Sequence, residues 1–97
     1  MSRVSGQPYF VYVLWSASAR RFHIGIAASP TDRLAQHNSS NHRSWTAKYR
    51  PWTLVKIEEY GDYTTARMRE LELKAQKGGR GFFEKTGLDP ATFDRRS

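Results

Sequence analysis

Two short apolar runs near the start of the chain set its pattern. Tyr9 to Trp15 is almost wholly β-branched or aromatic and reads as a buried strand. From Arg21 to Ile26 the apolar Phe22, Ile24 and Ile26 alternate with Arg21, His23 and Gly25, the period of a strand with one buried face. The short connection between them predicts a hairpin. Ser29 and Pro30 then supply a helix N-cap and a proline suited to the first helical position. A helix predicted from Thr31 to about Asn38 sets Arg33 and His37 four residues apart on one face. Tyr12, His23, Arg33 and His37 are thereby drawn toward one corner of a small sheet.

The pattern breaks from Asn38 to Tyr49, a stretch rich in Ser and Asn with neither period, and a loop is expected there. Asn38, Arg43, Ser44, Thr46, Lys48 and Arg50 line this stretch with donors suited to phosphate oxygens. Pro51 to Tyr60 reads as a third strand, with Trp52, Leu54 and Lys56 on one face and Thr53, Val55 and Ile57 on the other. Asp62 is the expected N-cap of a second helix over Tyr63–Gln76, which is built from good helix formers and stopped by Gly78-Gly79. On that helix Glu70 and Lys74 are expected to form an exposed pair, worth about 0.2–0.5 kcal/mol. Helical turns are expected around Phe82–Lys85 and Pro90–Arg95, with Phe82, Phe83 and Leu88 docking on the core. Gly78-Gly79-Arg80-Gly81 superficially resembles a phosphate loop. It follows a helix and lacks the succeeding Lys-Ser/Thr, so it reads as a flexible joint. The expected organisation is a flexible leader over 1–8, a domain over 9–77, and a C-terminal extension over 78–97 docking on that domain.

Composition narrows the function classes. A chain of 97 residues fits one domain, and the absence of cysteine excludes disulfides, a thiolate nucleophile and a cysteine zinc site. No apolar run approaches the ~20 residues of a membrane span and no signal peptide is apparent, so a cytoplasmic location without membrane association is expected. The formal charge of +7 favours a polyanionic partner through phosphate neutralisation, although such a charge also serves solubility alone. His23, His37 and His42 match no zinc spacing.

The order of strand, strand, helix, polar loop, strand and helix, with Tyr12 in the first strand and His23-Ile24-Gly25 in the second, resembles the GIY-YIG nuclease domain. Arg33-Leu34 with His37-Asn38, Arg50-Pro51-Trp52-Thr53-Leu54-Val55 and Ala66…Glu70…Lys74 support the likeness. It spans roughly Tyr9 to Gln76. The chain looks most like the small single-domain bacterial members, similar to the N-terminal nuclease domain of the excision-repair excinuclease. The resemblance implies an α+β fold, a small three-stranded antiparallel sheet flanked by helices. It also implies hydrolysis of a DNA phosphodiester bond with one Mg²⁺ (or Mn²⁺). Tyr12 and His23 then fall on the two motif tyrosines, Arg33 on the helix arginine and Glu70 on the metal carboxylate. His37 would contact phosphate or orient the nucleophile, and Lys74 joins the DNA-binding set. Structured or damaged DNA is the expected substrate, with a protein partner as a further source of specificity.

His23 stands where the family has a tyrosine. An imidazole titrating near 6.5 is a competent base at neutral pH, whereas a phenol must first be lowered from ~10. The exchange is compatible with retained hydrolysis, and equally with a nucleic-acid-binding module whose catalysis is weakened. Taken without the resemblance, Tyr12 reads as a core tyrosine, Arg33 as a solvated helix residue and Glu70 as the helical partner of Lys74.

Overall fold

The computed structural model describes residues 8–39, 48–77 and 79–93. Strand β1 (Tyr9–Ser16) is central, with β2 (Arg21–Ala27) and β3 (Trp52–Tyr60) antiparallel on either side, so the sheet order is β2-β1-β3. The fold is α+β with a three-stranded antiparallel sheet, as the resemblance implies. Residues 1–7 of the expected leader over 1–8 lie outside the described residues.

The apolar periods explain the layering. Val11, Val13, Phe22 and Ile24 face one way and form a core with Ala66 and Leu73 of helix α2 (Tyr63–Ala75). Phe82 of helix α3 (Arg80–Thr86) and Phe93 of a 3-10 turn (Pro90–Phe93) complete that core, and Phe83 and Leu88 pack against it. Tyr12, Leu14, Ala27 and Trp52 face the other way, with Leu34 of helix α1 (Pro30–Asn38), Tyr49 and Leu54 packed on them. The sheet is thus covered on both sides, which is why β1 is apolar at nearly every position.

The caps follow the sequence. The Ser29 hydroxyl accepts from the Asp32 amide and Pro30 takes the first turn of α1; the Asp62 carboxylate accepts from the Thr65 amide at 2.7 Å to open α2. The stop of α2 differs from expectation. Gln76 caps it, and Gly79 instead becomes the N-cap of α3, with Gly81 inside that helix; Gly78 lies outside the described residues.

Strand β3 corrects a second expectation. Val13 pairs with Lys56 but Leu14 pairs with Leu54, so Val55 is an extra residue in a β-bulge. The pleat therefore flips there. Trp52 and Leu54 face α1, whereas Val55 packs on the opposite core and Lys56 shares a face with Val13 rather than with Leu54. On that side Arg69 clamps three elements together. It donates to Glu58 of β3 at 2.8 and 3.1 Å, to Glu72 at 3.1 Å and to the Lys85 carbonyl at 2.8 Å.

Candidate functional site

The site is built on the face of the sheet that α1 covers. Cross-strand pairing sets Tyr12 opposite Gly25 and Leu14 opposite His23, so Tyr12, His23 and Gly25 share that face. The missing side chain at Gly25 is filled by Tyr12. A Cβ built there would lie 2.5 Å from the phenol oxygen and 2.7 Å from the ring carbon that bears it. The phenol, only 3% exposed, lies across the glycine. Its hydroxyl meets Nε2 of His37, from the last turn of α1, at 3.3 Å, with the donor set by the imidazole tautomer.

The three rings form one cluster. The His23 and His37 centroids are 4.8 Å apart and nearly edge to face, with Tyr12 6.1 Å from His23 and 6.3 Å from His37. Trp52 lies 5.9 Å from His23 on the β3 side. Burial pushes the Tyr12 hydroxyl above its ordinary pKa; the positive charge of Arg33 opposes this and the negative charge of Glu70 adds to it. Burial, then the charges of His37, Lys74 and Lys77, lower His23 to about 4 against a weaker pull from Glu70. His23 is therefore neutral at physiological pH and a weaker base than a free imidazole.

Glu70 comes from the other layer. Ala66, Glu70 and Leu73 form the buried stripe of α2, and Glu70 is 6% exposed. The exposed pair with Lys74 expected from the sequence is corrected accordingly: the carboxylate is buried and the cations are the exposed partners. Arg67 donates to Oε1 at 2.7 Å and Lys74 meets Oε2 at 3.0 Å. Burial pushes the carboxyl upward, yet the bonds from Arg67 and Lys74 outweigh it and hold Glu70 below the usual carboxylate range. An ionised, sequestered oxygen donor suits one hard divalent ion whose other ligands are water and phosphate. The two cations on it end flexible, half-exposed side chains, so they can yield to a metal. Among the described residues no three His, Cys, Asp or Glu side chains converge as a cage.

The remaining predicted residues divide. Arg33 is exposed on α1 and its charge reaches Tyr12. The Asn38 side chain is engaged in both directions with Trp52, accepting from its amide at 2.6 Å and donating to its carbonyl at 3.0 Å. Lys48 and Arg50 are exposed, and Arg50 donates to the Ser39 carbonyl at 3.5 Å. Arg43, Ser44, Thr46 and His42 lie outside the described residues. Arg67 carries no mark of its own in the sequence pattern, and Trp52 is marked there only by its place in the third strand. Arg67 is visible there only as a helical neighbour three residues before Glu70, whereas the approach of Trp52 to His23 depends on strand order. A cleft of about 520 Å³ lined by Phe83, Leu88 and Pro90 shares no residue with this cluster.

A tyrosine laid over a glycine in a three-stranded sheet, two imidazoles beside it and one buried acid from the opposite layer are the polar groups this fold presents. The sequence model of the GIY-YIG catalytic domain matches residues 8–82, and the chain belongs to the GIY-YIG family, a family of nucleases. No curated protein matches the chain. Among the described residues no helix is long and apolar enough to cross a membrane.

Proposed function

We propose that the chain is a Mg²⁺-dependent endonuclease that hydrolyses a phosphodiester bond of DNA. The observation that carries this reading is the convergence of Tyr12, His23 and His37 on one face, within the electrostatic reach of an ionised Glu70. In hydrolysis a water oxygen bonds to phosphorus, the bond to the leaving sugar oxygen breaks, and the water gives up a proton. Tyr12 is unsuited to take that proton as a phenolate, because its hydroxyl is held protonated at neutral pH. Its bond to His37 offers a relay instead: the hydroxyl passes its proton to Nε2 as it accepts one from water. His23, neutral but weakly basic, orients the water rather than deprotonating it. Arg33 offers a fork of donors to the phosphate oxygens as charge develops on them.

Glu70 is the residue that would hold Mg²⁺ (or Mn²⁺), which when bound neutralises charge on the phosphate. The three strands and three short helices among the described residues leave little surface for reading base edges. Specificity then comes from DNA shape, as at a branch, a flap or a lesion, or from a protein partner.

The ion pairs on Glu70 and the low basicity of His23 favour one second reading, a DNA-binding module with weakened catalysis. Nicking of supercoiled plasmid and branched oligonucleotides, in Mg²⁺ or Mn²⁺ against EDTA, separates the two. The nuclease reading expects metal-dependent nicking. It also expects Glu70→Ala to abolish cutting with DNA affinity nearly intact, and Arg33→Ala to slow turnover on the order of 10²–10³-fold. Salt-sensitive binding without nicking in any metal selects the binding module.

A further inference from the structure

The edge of β2 carries positive charge that the proposed chemistry leaves unused. Arg21 opens this strand, two residues before His23 and on the same face, its guanidinium 4.6 Å from the ring centroid of Tyr49. Tyr49 is itself held in place: its carbonyl accepts from the Ser16 hydroxyl at 2.7 Å, and Ser16 is the cross-strand partner of Arg21. The Tyr49 backbone is thus tied to the hairpin, and its ring holds the guanidinium beside β2. The end of α2 lies against β2, where Leu73 packs with Phe22 and Ile24, and Lys77 follows the helix, its amide donating to the Lys74 carbonyl at 3.3 Å. The charges of Lys74 and Lys77 are felt at His23, and those of Arg21 and Lys74 at Lys77, so the three cations act on one another across the packed β2 and α2.

Among the described residues neither Arg21 nor Lys77 has a carboxylate partner, and Lys74 shares Glu70 with Arg67. Three like charges gathered with half a counter-charge repel one another, and an anion there would relieve the repulsion. Residues two apart on a strand are separated by about 6.6–6.8 Å, comparable with the step between neighbouring phosphates of one strand.

We propose that Arg21, Lys77 and Lys74 seat the phosphate adjacent to the scissile one on the same DNA strand, with Tyr49 as the positioning residue for Arg21. Arg21 grips two phosphate oxygens through its fork, and the lysines add point charges. The seat deepens the nuclease reading and rests on it for the identity of the strand.

The test is binding of the full chain to fluorescein-labelled flapped DNA, followed by anisotropy across a salt series, with circular dichroism to verify folding. Arg21→Gln and Lys77→Gln should each flatten the plot of log affinity against log salt by about 0.7–0.9, the loss of one phosphate contact. Lys56→Gln, an equal loss of charge on the opposite edge strand, should leave the slope alone. Tyr49→Phe keeps the ring and should retain wild-type affinity, while Tyr49→Leu should weaken binding as Arg21→Gln does. Equal slopes in wild type, Arg21→Gln and Lys77→Gln overturn the seat, and so does a wild-type chain that binds no DNA. Flattened slopes without cleavage by any form support the seat and remove the nuclease; cleavage with unaltered slopes does the reverse.

Discussion

Gly25 is the residue at which an absent side chain does most. Tyr12 is buried around its whole ring, so it cannot swing aside when a methyl group arrives 2.5 Å from its oxygen. Gly25→Ala is expected to cost about 1–3 kcal/mol as overpacking and to break the bond between Tyr12 and His37. Cleavage should fall on the order of 10²-fold, as misplacement of a positioned group does, read from nicking rates beside a denaturant titration. His23 gives the pH prediction. Its folded pKa, near 4, lies below the ordinary 6.5, so between these values the unfolded chain binds more protons. Stability is accordingly full above about pH 6.5 and is lost as pH falls toward 4; His23→Gln should flatten that part of a melting-temperature profile. The sequence held the types and order of these residues: a tyrosine in the first strand, and histidines in the second strand and on the first helix. It did not hold their basicity. The drop of His23 comes from burial, from His37 of α1 and from Lys74 and Lys77 at and beyond the end of α2, partners distant along the chain, and the expectation of an imidazole titrating near 6.5 had no access to them.

At the scale of elements, what was legible was local. Ser29-Pro30 and Asp62 announce helix starts because capping depends on a few neighbouring residues, and both helices begin there. The bulge at Val55 was illegible, since the alternation along β3 continues through it and only the pairing with β1 shows the extra residue. The burial of Glu70 was hidden for a similar reason. Spacing to Lys74 was plain, but which face of α2 turns inward is decided by how Ala66 and Leu73 meet the sheet. Asn38, expected among the phosphate contacts, forms a clasp between α1 and the start of β3. Asn38→Ala leaves both backbone groups of Trp52 without their side-chain partner and should destabilise the fold by about 1–3 kcal/mol. Chemical denaturation measures that loss, and Asn38→Asp should recover the part owed to the Trp52 amide.

Across the whole molecule, the C-terminal segment is part of the core. Phe22 is ringed by Phe82 at 4.8 Å, Phe93 at 5.2 Å and Phe83 at 5.8 Å, so the stretch after α2 completes what the hairpin begins. The family match ends at residue 82, yet the packing runs on to Phe93. Phe82→Ala, at a site with no exposure, should cost about 3–5 kcal/mol and bring a domain of this size close to unfolding, which calorimetry will register as a large fall in melting temperature. The grips of Asn38 on Trp52 and of Ser16 on Tyr49 both lie outside residues 40–47. A protease that nicks the chain between those positions would leave two fragments, one ending beyond α1 and the other entering β3, still knitted by the full β1–β3 ladder. The same arrangement invites reconstitution from separately expressed halves.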